Sequence, residues 1–102
     1  MKRRFTVAPE AARDLAKIFR HLKKASSRET ADRVESAIRN KFAYLAEFPG
    51  AGHSRRDLTS ADVRFFSVYS YLIVYRPETK PLEIVCILHG SRDVAGILTE
   101  RL

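Results

Sequence analysis

The chain has one cysteine among 102 residues, so it cannot close an internal disulfide. Nor can it build a thiolate metal cage that needs two or more ligands of its own. The expected home is a reducing compartment, the cytoplasm. Long apolar runs are missing too: none approaches the roughly 20 residues needed to cross a bilayer, so no membrane partner is expected. The basic start Met1-Lys2-Arg3-Arg4 resembles the n-region of a signal peptide, but Phe5-Thr6-Val7-Ala8-Pro9-Glu10 is no hydrophobic h-region. The sequence has no internal repeat or low-complexity tract. It also lacks a glycine-rich phosphate loop, a Ser-His-Asp order, a paired-cysteine zinc site and a helix-turn-helix signature. No cofactor and no metal are expected.

What is present is an ordinary globular mixture, 45% hydrophobic and 30% charged. A chain of this length buries roughly two-thirds of its unfolded surface on folding, enough for one domain over residues 1–102. Nineteen Lys and Arg against twelve Asp and Glu give a net charge of +7. Residues 1–30 hold nine basic and three acidic side chains, residues 31–60 five and four, and residues 61–102 five and five. Nearly all of the excess is therefore N-terminal. Such a surface attracts nucleic acid, ribosomes or an acidic protein, and it also serves solubility alone.

Punctuation at Pro9, Ser26-Ser27, Pro49-Gly50-Ala51-Gly52 and Pro77–Pro81 divides the chain. Residues 2–7 read as a short strand around Phe5, Thr6 and Val7. Pro9 suits a first helical turn, with Glu10 favourably placed at its positive end. Ala12, Leu15, Phe19 and Leu22 then follow helical spacing, widened by Ala11 and Ile18. Arg13, Lys17, Arg20 and Lys24 run along another face. Ser26 and Glu29 have capping-box spacing and open a second helix, whose stripe is Ala31, Val34, Ile38, Phe42 and Leu45. Phe48 follows before Pro49-Gly50 stops it. Gly50–Ala61 reads as an exposed loop.

From there the period becomes strand-like. Val63, Phe65, Phe66 and Val68, then Tyr71–Tyr75, then Leu82–Leu88 predict a meander of antiparallel strands. Their near-continuous apolar runs call for cover by the helical hairpin on at least one face. The expectation is an α+β fold, a helical hairpin packed on a mainly antiparallel sheet in the order β-α-α-β-β-β. Val94–Leu102 adds a terminal turn or short helix.

Several residues have two readings. His89-Gly90-Ser91-Arg92-Asp93 reads as a turn with Arg92 and Asp93 in ion pairs, or as a proton shuttle beside a phosphate-holding fork. Cys86 between Val85 and Ile87 reads as a small buried hydrophobe. His21 has no metal-ligand partner at i±4, where Lys17 and Ala25 stand. Tyr69, Tyr71 and Tyr75 share one sheet face if no bulge intervenes, suited to a helix, a partner peptide or stacked bases.

Ala8-Pro9-Glu10-Ala11 with Asp14-Leu15, Leu45-Ala46-Glu47-Phe48-Pro49 and Gly52 form a recognisable series. It continues with Val63-Arg64, Val68, Tyr71-Leu72-Ile73-Val74-Tyr75-Arg76 and Leu88-His89-Gly90-Ser91-Arg92-Asp93. In this order and spacing, which span essentially the whole chain, the sequence resembles the type II toxin superfamily of ParE gyrase poisons and RelE ribosome-dependent ribonucleases, and its marks are ParE-like. The resemblance implies a toxin that inhibits DNA gyrase. It also implies neutralisation by a cognate ParD-like antitoxin, whose C-terminal segment wraps it in a hetero-oligomer. The RelE pattern has an arginine after the central-strand tyrosine and a tyrosine in the C-terminal segment. Here Leu72 follows Tyr71, and Val94-Ala95-Gly96-Ile97-Leu98 holds no tyrosine.

The resulting expectation is a binding toxin rather than an enzyme, with no catalytic residue. The alternative is a metal-independent endoribonuclease acting on ribosome-bound messenger RNA, for which Glu47, Arg64, His89 and Arg92 are the candidates. Antitoxin-binding candidates are Arg13, Lys17, Arg20, Tyr71 and Tyr75, since an acidic segment gains charge-assisted bonds along helix one. Target-binding candidates are His53, Arg55, Arg56, His89 and Arg92.

Overall fold

The computed structural model describes residues 4–102. The proposed N-terminal strand is confined to β1 (Phe5–Val7); its first two positions, Lys2 and Arg3, lie outside the described residues, as do most of the signal-like start residues. Helix α1 spans Pro9–Ala25 and α2 spans Arg28–Glu47. A turn of 3-10 helix at Pro49–Ala51 follows, then β2 (Arg64–Val68), β3 (Tyr71–Arg76), β4 (Leu82–His89) and α3 (Val94–Arg101). The sheet order is β1-β4-β3-β2. β2, β3 and β4 form the antiparallel meander, whereas β1 joins β4 in parallel. A parallel neighbour needs a crossover connection, and the α1–α2 hairpin together with the β2–β3 ribbon lies between the two strands. No helix among the described residues is long and apolar enough to cross a membrane.

Pro9 occupies the first turn of α1, which starts without a side-chain cap at Ala8. The cap of α2 lies one residue beyond the expected Ser26: Ser27 accepts from the Thr30 backbone N–H at 3.0 Å. Shifting the cap by one moves its partner from Glu29 to Thr30, so the Ser26/Glu29 capping box does not form. The inward stripe of α2 is as expected, with Ala31, Val34, Ile38, Phe42 and Leu45 all buried. On α1 the inward face is rotated from the expected one. Ala11 and Leu15 are buried with Ile18 and Leu22 beside them, while Ala12 is exposed and Phe19 lies outside both core clusters. Spacings of 11, 15, 18 and 22 hold a helical face as well as 12, 15, 19 and 22 do. Periodicity alone does not separate them.

The sheet is packed on both faces. Towards the hairpin point Tyr71, Ile73 and Tyr75 of β3 with Leu82, Ile84 and Ile87 of β4. On the far face Val63, Phe65, Val74, Val85, Cys86 and Leu88 meet Val94 and Leu98 of α3. Pairing runs Val74↔Cys86 and then Tyr75↔Ile84, so Val85 is an extra residue in β4. This bulge lets Val85 and Cys86 face the same side. Because it lies in β4, Tyr71 and Tyr75 keep the common face expected of them, and Tyr69 falls in the β2–β3 turn.

Candidate functional site

Where β1 ends opposite Ile84, the far part of β4 loses its strand neighbour on that edge. Asp14 of α1 takes over. Its carboxylate accepts from the Ile87 backbone N–H at 3.1 Å and from the Arg101 guanidinium at 2.6 and 2.8 Å. Asp14 is 6% exposed and is the buried charged residue of the described core. Arg101 also reaches Glu10 at 3.1 Å. Hydrogen bonding to Asp14 pushes the Arg101 pKa further up, so the guanidinium stays charged. Burial pushes the Cys86 thiol up, with an opposing contribution from Arg101, so the thiol is held neutral and poorly nucleophilic.

Beside this clamp a cleft of about 460 Å³ opens between α1 and the ends of β3 and β4. Ile18, Tyr71 and Ile87 supply its apolar surface, with Lys17, His21, His89 and Arg92 around them. Its acid, Asp14, is already neutralised by Arg101, so the free charge facing the opening is positive. The cleft continues into a second cavity of about 480 Å³ that shares His21, Tyr71 and His89 and adds Leu22, Arg33, Val34 and Tyr69. Burial raises the Tyr71 hydroxyl pKa, and its ring meets His89 edge-on with centroids 5.2 Å apart.

His89 is fixed by the turn after β4. Its Nδ1 accepts from the Ser91 backbone N–H at 3.1 Å and lies 2.6 Å from the Ser91 hydroxyl. A backbone N–H only donates, so the neutral ring carries its proton on Nε2. Gly90 donates to the Ser70 carbonyl at 2.8 Å, tying this turn to the β2–β3 turn. Asp93 caps α3 by accepting from the Gly96 N–H. Residues 89–93 form a turn, although among the described residues neither Arg92 nor Asp93 makes an ion pair and Asp93 acts as a cap.

The structure separates several sequence candidates. Arg64 pairs with Tyr75, which pairs with Ile84, whereas His89 pairs with Tyr71 at the other end of the same strand. Four positions along β3 at about 3.3 Å each put the His89 register roughly 13 Å from that of Arg64. Glu47 and Arg64 line their own groove with Pro49, Gly50 and Lys80, and Arg64 donates to the Gly52 carbonyl at 2.9 Å. The four ribonuclease candidates Glu47, Arg64, His89 and Arg92 thus do not converge on one scissile group. Tyr75, one of the antitoxin candidates, is 0% exposed, and its hydroxyl is used inside the fold. Its hydroxyl donates to the Pro49 carbonyl at 2.7 Å and accepts from the Gly52 N–H at 2.8 Å. A Cβ on Gly52 would stand 2.5 Å from that hydroxyl and 2.8 Å from the Phe65 carbonyl, so glycine is required there by close approach.

Arg13, Lys17, Arg20 and Lys24 are exposed along α1. Lys17 enters the cleft, and Arg13 lines a separate groove with Arg76, Glu83 and Arg101. His53 bridges Phe65 on the outer edge of β2 through backbone bonds of 2.8 and 2.9 Å. Arg55 is held by Asp57 through two bonds of 3.0 and 2.8 Å, and Arg56 donates to the Ser60 carbonyl. Three strand spacings, about 14 Å, separate the His53 strand from β4. His53, Arg55 and Arg56 therefore form one patch, and His89 with Arg92 another.

Two contributors escaped the sequence reading as site residues. Asp14 occupied an inward position between Ala11 and Ile18, and a lone acid on an apolar stripe calls for a buried partner. Arg101 follows Val94 and Leu98 at helical spacing. Nothing local connects these two residues, which stand 87 positions apart.

Comparison with known proteins agrees with this architecture. The chain is 30% identical over 88 residues to Toxin ParE3 of Caulobacter vibrioides, covering 86% of this chain and 87% of that one. The fold superposes with a TM-score of 0.72 on a chain of a solved structure described as the chromosomal ParDE TA system from P. aeruginosa. That match has 20% identity and covers 86% of this chain and 96% of that chain. Residues 5–94 match the family model described as the ParE toxin of the type II toxin-antitoxin system parDE, and the chain belongs to this ParE toxin family.

Proposed function

We propose that a ParD-like antitoxin neutralises this ParE-family toxin in the cytoplasm within a hetero-oligomer, and that the free toxin acts by binding and inhibiting DNA gyrase. One observation carries the antitoxin part. The α1 cleft offers Ile18, Tyr71 and Ile87 beside the cations Lys17 and Arg92, while its acid is occupied by Arg101. Apolar area supplies affinity, and complementary charge supplies rate and selectivity. An acidic amphipathic segment is the partner that uses both. Family membership supports the gyrase part, and the dispersal of Glu47, Arg64, His89 and Arg92 argues against the ribonuclease alternative.

Induction of the toxin in cells tests the reading. DNA-damage signalling and blocked replication, relieved by co-expression of a cognate ParD-like antitoxin, are expected. Codon-linked cuts in ribosome-bound transcripts without a replication block would support the alternative.

A further inference from the structure

Tyr69 is the described non-glycine residue with positive φ, at 55°. It opens the two-residue turn between Val68 and Tyr71, which pair with each other. That conformation favours glycine, asparagine or aspartate, and a bulky side chain there is strained. The fold draws little from the ring in exchange: Tyr69 is 63% exposed and belongs to neither core cluster. A strained position of this kind points towards function.

The surroundings indicate what the ring would meet. Tyr69 lines the second cavity together with His21, Arg33 and His89 and with the apolar side chains Leu22 and Val34. The Gly90–Ser70 hydrogen bond holds the turn against the His89 turn, so the ring is presented from a braced hairpin. Tyrosine is a frequent binding hot spot because it contributes large contact area with little side-chain entropy to lose.

We infer that Tyr69 is an affinity anchor for the antitoxin, closing over an apolar side chain in an acidic amphipathic segment whose carboxylates face Arg33 and Lys17. This rests on the antitoxin reading given above. A nucleic-acid strand fits less well. It would use a succession of exposed stacking faces, whereas Tyr71 is 7% exposed and Leu22 and Val34 give the cavity an aliphatic surface that does not stack.

The test uses Tyr69→Gly and Tyr69→Asn, both compatible with positive φ, in the whole chain with a cognate ParD-like antitoxin. Both variants should melt at or a few degrees above the parent temperature, since strain is relieved. Both should bind the antitoxin at least about tenfold more weakly. Parent-like affinity in either variant overturns the anchor, and so does a lower melting temperature, which would make the ring part of the fold. If the parent itself fails to bind the antitoxin, the functional reading falls and the anchor with it. A labelled single-stranded oligonucleotide that binds the parent, competes with the antitoxin and loses affinity in both variants would reassign the ring to nucleic acid.

Discussion

Arg101 of α3 grips Asp14 of α1 through two hydrogen bonds of 2.6 and 2.8 Å. The pair joins α1 to α3 across the edge of β4, because the same carboxylate also accepts from Ile87. Removing one partner of a buried pair leaves the other charge uncompensated, which typically costs about 3–5 kcal/mol. Asp14→Ala should lose stability towards the lower end of that scale by urea unfolding, since it strands the Ile87 N–H and leaves Arg101 with the more exposed Glu10 alone. Arg101→Ala should lose somewhat less, as its side chain keeps 22% of its accessible surface. A cost under about 0.5 kcal/mol for Asp14→Ala would place the pair among surface ion pairs.

The two readings of the α1 stripe differ at one pair of residues. Leu15 is 1% exposed, and truncating such a leucine costs about 2–5 kcal/mol. Phe19 lies outside the core clusters, so Phe19→Ala should cost clearly less than Leu15→Ala. Lys17→Ala should change stability little. The opposite ranking of Leu15→Ala and Phe19→Ala in chemical denaturation would restore the stripe centred on Phe19.

How much was legible follows from these residues. The element order, the α2 stripe and the strand meander were readable because helical and strand periods persist over many residues and end at Pro-Gly or Ser signals. The rotation of α1 was not, because Ala12 and Phe19 satisfy the same period as Ala11 and Ile18. Parallel pairing of the three-residue β1 and the clamp between Asp14 and Arg101 are long-range events with no local signature. The residues that line the candidate cleft stood out individually, Lys17 and Tyr71 as antitoxin candidates and His89 and Arg92 as target candidates, and the sequence did not place them together. Their grouping depended on strand register, which separates Arg64 from His89 and buries Tyr75.

Alkaline pH should weaken the fold in a defined order. Burial raises the pKa of Cys86, Tyr71 and Tyr75, although the Gly52 N–H partly opposes this at Tyr75. All three groups are therefore held neutral in the native state above the pH at which the unfolded chain ionises them. Their contribution is fully present below the unfolded values, about 8.5 for Cys and about 10 for Tyr, and is lost as pH rises towards the native values. Urea midpoints should be level from pH 7 to about 8.5 and fall above it, most steeply beyond about pH 10. Cys86→Ala should flatten the first part of that fall. Midpoints unchanged to pH 11 would contradict the burial of these groups.

Tyr75→Phe removes a hydroxyl that serves both the Pro49 carbonyl and the Gly52 N–H. Leaving buried backbone groups unpaired costs roughly 1–3 kcal/mol each, so the variant, which strands two, should be destabilised by about 2–6 kcal/mol by thermal or urea unfolding. Gly52→Ala should be destabilised as well, because its new methyl meets the Tyr75 hydroxyl and the Phe65 carbonyl. Stability equal to the parent in both variants would show that this junction relaxes freely.

The basic face of α1 makes a kinetic prediction. Reversing Arg13, Lys17 and Arg20 together to Glu should slow association with the antitoxin and weaken its salt dependence, because long-range attraction is screened beyond roughly 8–10 Å at physiological salt. Dissociation should accelerate less than association slows, since the apolar contacts remain. Rates at two salt concentrations check this; an unchanged association rate would turn this face away from the partner.

The most direct test of the central claim is supercoiling of relaxed plasmid by purified DNA gyrase, with increasing toxin and then with antitoxin added in excess. The account predicts that toxin stops supercoiling in proportion to its concentration and that the antitoxin restores it. Supercoiling left untouched by a folded toxin that still binds its antitoxin would contradict gyrase inhibition.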